Sequence, residues 1–557
     1  MRMALLLLAV LATAGASAQP LFKVGLVSDT HVGETVESCA RVRAALEIFR
    51  REGAALVCNL GDIADHHYPQ GYRSYRAVFN EVFGANRPKE AYVYAGHDAT
   101  RYKGGANGVD PATRDQAFED LRRLLEIPHG PYAAFDVHGY PFVIVPQYVD
   151  LARMEEMIVR AETDFPDKPV FVLDHVPAYA TTHNTTKWGD PARRKLLDRH
   201  PRVVHLDGHT HASLRDEEQI WQGGFTTVNA CTLQGWAGKL VGGNPSNKPA
   251  YGCLVMEVFA DRLVFRRYDI RDGSEYRADA PWTVPWPFDP KTAPYREGAR
   301  SLPPVTFAAD ASVTLAPPRP KAREIVFSVP AAREADNVLT YRFELLRNGR
   351  PFARRDVFGE FYLRPADRTG RISCAFETGF FEKKDEPLVV RVTPVDFFGC
   401  AGQAVESPFA APERAGKVVF RSSDLAKDGK FLDRLDGEKP ATVRDGFVTW
   451  RVGNVRLCVP DEAWAGTGCP AYQVVLDLET EQPKDGGLLL LYRERDLATG
   501  TVSRNNLRIA VPDGRTGRSR YVFTVRKKTP TSGFDIVFNG VIAPLKVKVH
   551  HMKVVRL

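Results

Sequence analysis

Residues 203–211 read VVHLDGHTH, an apolar run closed by an aspartate, a glycine and two histidines at i and i+2. The run has the length and β-branched content of a short buried strand. The glycine allows a turn there, which lets His209 and His211 point at one centre. Four earlier apolar runs end in the same residue types. GLVSDTH ends in Asp29 and His31, VCNLGD in Asp62, YVYAGHD in His97 and Asp98, and FVLDH in His175.

Between these runs the apolar residues recur at three- and four-residue spacing, as in SCARVRAALEIFRREGA, YRSYRAVFNEVF, RDQAFEDLRRLLEI and PARRKLLDRH. Strands alternating with helices predict an α/β layered domain from residue 21 to about 270. In open α/β sheets the ligand crevice lies outside the carboxyl ends of the strands, so the five strand ends are expected to converge. Twelve of the 14 histidines precede residue 212, which points to the same part of the chain.

With 557 residues, the chain has room for two to four domains. Residues 1–18 combine an arginine, the apolar stretch ALLLLAVLATAG and a small-x-small ASA before Gln19. This reads as a secretory signal peptide, too short to span a bilayer of roughly 30 Å. An exported (periplasmic or secreted) protein with no transmembrane segment is expected. The net charge of +7 is mild, and nucleic-acid binding does not follow from it. Eight cysteines are too sparse for a disulfide-stapled scaffold, although Cys458 and Cys469 are close enough in sequence for a bridge. Cys58, inside ALVCNL, reads as a buried free thiol.

The rhythm breaks after residue 273. The stretch 274–305 is rich in proline and turn formers and reads as a linker packed by Trp282 and Trp286. Residues 306–412 show short alternating runs and are expected to form a β-sandwich similar to a fibronectin type III module. Residues 416–557 are again strand-rich and suggest a second β-sandwich, of a jelly-roll kind similar to carbohydrate-binding modules.

Carboxylates and neutral imidazoles without thiolates suit a pair of zinc, manganese or iron ions rather than a structural cysteine site. Taken in order, SDTH, GDIAD, AGHD, LDHVP and GHTH resemble the motifs of the calcineurin-like metallophosphoesterases over roughly residues 21 to 270, within a domain expected at 19–273. The resemblance implies a four-layer α/β/β/α sandwich and hydrolysis of a phosphate mono- or diester by a metal-held hydroxide. It implies that Asp29, His31 and His211 hold one metal, and that Asp62 bridges to a second held by His175 and His209. His97 would then stabilise the phosphoryl group or protonate the leaving oxygen, with Asp98 orienting it. The third motif departs from the family pattern, because its asparagine ligand is missing. Either Gly96 replaces it, or one residue has been deleted and Gly96 is the motif glycine. Water, substrate, Asp98 or Asp65 are the candidates for the open position.

Other residues admit two readings each. His66, His67 and His183 fit a substrate pocket or ordinary loops. Asp207 fits a carboxylate supporting a ligating histidine, or a turn before Gly208. His205 reads as a core histidine, and Asp174 is expected to point away from the His175 side chain. The leading expectation is an exported phosphoesterase whose C-terminal domains bind a carbohydrate or cell-surface polymer. The rival is a non-catalytic binding or scaffold protein with a degraded second metal site.

Overall fold

The computed structural model describes residues 19–557 apart from 34–35, 66–68, 100–110, 235–250, 316–323, 378–386, 410–416, 423–431, 435–441, 445–446, 451–452, 458, 460, 465–467, 469, 482–487, 512–516 and 541–544. The expected signal peptide, His66 and His67, and the Cys458–Cys469 bridge lie outside the described residues.

The N-terminal part runs β1 (Phe22–Val27), α1 (Val36–Glu52), β2 (Leu56–Asn59), α2 (Pro69–Phe83), β3 (Lys89–Tyr92), α3 (Gly96–Ala99) and α4 (Pro111–Leu125). It continues with β4 (Ala133–Val137), β5 (Tyr140–Ile144), α5 (Leu151–Asp164), β6 (Val170–Leu173), α6 (Thr185–Trp188), α7 (Pro191–Leu197) and β7 (Val203–Asp207). The last strands are β8 (Ile220–Gln222), β9 (Thr226–Asn229), β10 (Gly252–Val258), β11 (Arg262–Asp269), β12 (Ser274–Tyr276) and β13 (Trp282–Pro285).

These strands form two mixed sheets. One has the order β12-β11-β10-β1-β2-β3, with β13 pairing β11, and the other β4-β5-β6-β7-β9-β8. β1, β2 and β3 are mutually parallel, as are β5, β6, β7 and β9. The central strands β2, β6 and β7 are buried along their whole length, as parallel strands covered on both faces must be. One apolar cluster joins Val24 and Leu26 of the first sheet to Phe142, Phe171 and Leu206 of the second. A separate cluster packs α1, α2 and α4 on the first sheet, and another packs α5 and α7 on the second.

The helices follow from local chemistry. On α1, Val42, Ala45, Leu46 and Phe49 are buried along one stripe with the i, i+3, i+4, i+7 spacing of an amphipathic helix. Asp150 caps α5 by accepting from the Ala152 and Arg153 amides, at 3.0 and 3.4 Å. Asp190 caps α7, whose first residue is Pro191, a position where the missing N–H costs nothing.

The proline-rich stretch contributes β12 and β13 to the first sheet rather than running free of it. Trp282 is buried and donates from Nε1 to Glu217 Oε2 at 2.9 Å, whereas the Trp286 indole donates to the Asp167 carbonyl at 3.2 Å. Glu217 is the hub of this region. It also accepts from Arg267 at 2.8 Å and Arg300 at 2.8 Å, and lies 3.2 Å from Arg277. Burial opposes its charge, yet Arg267 and Arg277 hold its carboxyl below the usual range.

Beyond residue 313 the described chain is sheet-rich. A three-stranded and a four-stranded sheet use strands between Thr314 and Phe409, and a six-stranded and a five-stranded sheet use strands between Lys417 and Arg556. Among the described residues no helix is long and apolar enough to cross a membrane. Cys58 is free and buried, and burial pushes its thiol up.

Candidate metal centre

The site is built on the carboxyl ends of strands from both sheets. Asp29 and His31 follow β1, Asp62 follows β2, His175 follows β6, and His209 and His211 follow β7. Asp29, His31 and His211 bring one ligand atom each to within 4.8 Å of one another, and Asp62, His175 and His209 do the same. The two sets adjoin: Asp62 Oδ2 lies 3.2 Å from His175 Nε2 and 3.9 Å from His31 Nε2.

Five of these six residues have left-handed backbones, with φ of 49° at Asp29, 41° at His31, 51° at Asp62, 68° at His209 and 56° at His211. That region is costly for residues with a Cβ, and such strain persists where the surroundings fix it for function. Two glycines make the approach possible. A Cβ at Gly208 would stand 1.8 Å from Ser28 Oγ and 2.7 Å from Asp29 Oδ2. At Gly61, with φ of 102°, a Cβ would stand 2.9 Å from His175 Nδ1.

Hydrogen bonds orient the rings. His175 Nδ1 donates to the Leu60 carbonyl at 2.9 Å, which leaves Nε2 facing Asp62. His31 Nδ1 donates to Asp65 Oδ1 at 2.7 Å, which turns its Nε2 towards His211 Nε2 at 3.4 Å. Asp29 Oδ2 accepts from Ser28 Oγ at 2.6 Å and from the His209 amide at 2.8 Å.

Asp29 Oδ1 is fully buried and has no hydrogen-bond partner among the described residues, although His211 Nε2 is 2.9 Å away. A carboxylate oxygen surrounded by imidazole nitrogens that are not aligned to donate to it fits a cation, as does a donor set of oxygen and nitrogen.

The electrostatics agree. Burial works against charged His31, yet Asp29, Asp65 and Asp62 push it up to about 10. His175 likewise rises to about 10 against its burial, through Asp62 and Asp29. Burial and the neighbouring His175 lower His209 to about 4. Asp29 and Asp62 are held well down despite burial, chiefly by the histidines. Apart from that of His209, these shifts favour positive charge in the pocket.

His97 and Asp98 are placed apart from these six. Both sit on α3, because the chain turns directly after Ala95 instead of extending the strand. The His97 amide donates to Asp62 Oδ1 at 2.8 Å, and its ring packs edge-on to His31 with centroids 4.7 Å apart. The carboxylate beside the His97 ring is Asp65, with Oδ1 3.8 Å from Nδ1. Asp98 is buried and accepts from the Ile63 and Ala64 amides at 3.0 and 3.2 Å and from Tyr72 at 3.1 Å. It anchors the loop after Asp62. Burial and the Asp62 charge raise it to about 7.

At Gly96 the Gln147 side chain stands where a side chain would start, with Oε1 2.9 Å and Nε2 3.1 Å from an added Cβ. Gln147 Oε1 accepts from the Gly96 amide at 2.5 Å.

The remaining residues sort clearly. His205 is a core histidine between Thr227 and Asp207, each at 3.1 Å. Asp207 accepts from Thr227 and Asn229, both at 2.7 Å, within the same buried network. Asp174 pairs with Arg193 at 2.7 Å, away from the His175 ring. Trp188, which carried no readable signal, is partly exposed and sets its ring edge-on to His209 at 5.6 Å. His183 lies outside the centre, against Asp216.

Residues 22–213 match the family model described as calcineurin-like phosphoesterase. No curated protein matches the chain. Among solved structures, a dimetal phosphatase from Danio rerio is 13% identical, with a TM-score of 0.35, over 48% of this chain and 100% of that one. The purple acid phosphatase PPD1 from yellow lupin (Lupinus luteus) seeds is 14% identical, with a TM-score of 0.34, over 48% of this chain and 54% of that one. The N-terminal tandem CBM22 domain of Paenibacillus barcinonensis Xyn10C is 11% identical, with a TM-score of 0.19, over 45% of this chain and 92% of that one.

Proposed function

We propose that this protein is an exported metallophosphoesterase that hydrolyses a phosphate mono- or diester. The observation carrying this reading is the pair of adjoining donor sets, Asp29/His31/His211 and Asp62/His175/His209, inside a stretch that matches the calcineurin-like phosphoesterase model. Each set would hold one cation of manganese, iron or zinc. Bound there, such ions supply Lewis-acid charge to a phosphoryl oxygen and lower the pKa of water.

The protein's own groups do the rest. His31 and His175 are locked by Asp65 and Leu60, so that their Nε2 atoms face the centre. We assign the His97 ring, 40% exposed and next to His31, the role of stabilising the phosphoryl charge or handing a proton to the leaving oxygen. Asp98 fixes the loop that carries Asp62. We read the two sheets with their flanking helices as a four-layer α/β/β/α arrangement, and the sheets after residue 313 as two β-sandwiches. We assign those sandwiches the task of holding the enzyme on a carbohydrate or cell-surface polymer.

The test is hydrolysis of bis(p-nitrophenyl) phosphate and p-nitrophenyl phosphate by metal-stripped protein, with manganese, zinc or iron added back. Turnover of at least one ester that returns with metal is expected. No turnover with any of the three overturns the proposal and favours a scaffold role.

A further inference from the structure

A third cluster lies away from the candidate centre, where α6 and its preceding loop meet the turn before β8. His183 Nδ1 stands 2.5 Å from Asp216 Oδ2 and 3.3 Å from Glu218 Oε2, and the three ligand atoms lie within 4.8 Å of one another. The backbone joins the same two segments, since the His183 amide donates to the Glu218 carbonyl at 3.3 Å.

The arrangement differs from an ordinary ion pair in one respect. His183 is about nine-tenths buried, and its Nδ1 has no hydrogen-bond partner among the described residues, in spite of its closeness to both carboxylates. The nitrogen is close to the oxygens without being aimed at either. Asp29 Oδ1 shows the same pattern in the candidate centre. A shared point between three donor atoms explains it, because ligands about 2.0–2.2 Å from a common ion need not face one another.

The scaffold around the cluster is rigid. Asp216 Oδ1 is occupied by the Glu218 amide at 2.8 Å, which leaves Oδ2 for the cluster. Glu217, between the two ligands, is tied into the Arg267, Arg300 and Trp282 hub, so the turn cannot readily swing away. Further buried polar atoms without hydrogen-bond partners among the described residues occur on the same two segments, at Thr182 Oγ1 and at both amide atoms of Gln219.

We propose that His183, Asp216 and Glu218 form a third cation site, for a divalent ion of the zinc class, separate from the two donor sets of the candidate centre. One imidazole and two carboxylates leave an open position for water, as borderline ions accept. The ion would clip the segment that leads into α6 to the turn at 216–218. α6 ends in Trp188, whose ring stands against His209. The clip therefore fixes one wall of the candidate centre without entering it.

The experiment is zinc stoichiometry of the full chain by equilibrium dialysis, comparing wild type with Asp216→Asn and His183→Gln. Asp216→Asn keeps an oxygen to cap the Glu218 amide and removes only the anionic ligand. Each variant is expected to bind one equivalent fewer than wild type and to lose part of the zinc-induced rise in unfolding temperature. An Asp29→Asn/Asp62→Asn protein should still bind one equivalent that His183→Gln then abolishes, which separates this site from the candidate centre. Equal stoichiometry in wild type, Asp216→Asn and His183→Gln would overturn the proposal and leave a plain histidine–carboxylate pair.

Discussion

Glu217→Gln removes the carboxylate that faces Arg267, Arg277, Arg300 and the Trp282 indole. Arg267 is 1% exposed and stacks 4.2 Å over Trp282, so it cannot reach water when its partner is neutralised. Removing one member of a buried ion pair costs about 3–5 kcal/mol, because the other charge is left uncompensated. Glutamine keeps one acceptor oxygen for Arg267 or Trp282, and Arg277 and Arg300 are partly exposed, which puts the expected loss at the lower end, about 3 kcal/mol. At roughly 2–4 °C per kcal/mol for a unit of this size, the unfolding temperature should fall by about 6–12 °C. Urea unfolding followed by tryptophan fluorescence gives the free energy directly. Adding Arg267→Met should recover part of the loss, since a buried pair replaced by apolar groups is often nearly neutral. A loss under about 1 kcal/mol, or no recovery in the double variant, would show that Glu217 is not the hub described above.

Three further outcomes follow from the candidate centre. His97→Ala should leave the metal content unchanged and lower turnover by about 10²-fold or more, read from aryl-phosphate hydrolysis beside elemental analysis. Unchanged turnover would remove His97 from the chemistry. Gly208→Ala forces a Cβ into Ser28 and Asp29, so it should cost about 1–3 kcal/mol in unfolding free energy and reduce bound metal. Full stability and full metal content would refute that close approach. Gly96→Asn should raise the affinity for the second cation only when Gln147 is shortened to Ala, because Gln147 occupies the space above Gly96. Manganese titration of the single and double variants tests this, and a gain in the single variant would contradict it.

Much of the centre was legible because strand ends are local features. A short apolar run closed by Asp or His can be read without knowing its neighbours, and six such side chains do lie together. His205 and Asp174 were readable for a related reason, since strand alternation and burial decide where they point. Less was visible where the answer depends on distant segments. In the sequence Asp65 is one of two carboxylates that fit the open position, and only the fold sets it 2.7 Å from His31. Gln147 reaches Gly96 from across 51 residues, and no local pattern announces that contact. Trp188, at the end of the four-residue α6, and the 216–218 turn sit in segments too short to show a period, so their closeness to His209 and His183 is a product of topology alone. The proline-rich stretch reads as a linker by composition, but pairing with β11 draws two parts of it into the sheet. Pairing partners, unlike propensity, are not written in the segment itself.

The most direct test of the account is anomalous X-ray diffraction from crystals of manganese-loaded protein. At the candidate centre two peaks are expected, one among Asp29, His31 and His211 and the other among Asp62, His175 and His209, and both should vanish in Asp29→Asn/Asp62→Asn crystals. Well-ordered crystals in millimolar manganese with no anomalous density at either position would contradict the metal centre and, with it, the phosphoesterase reading.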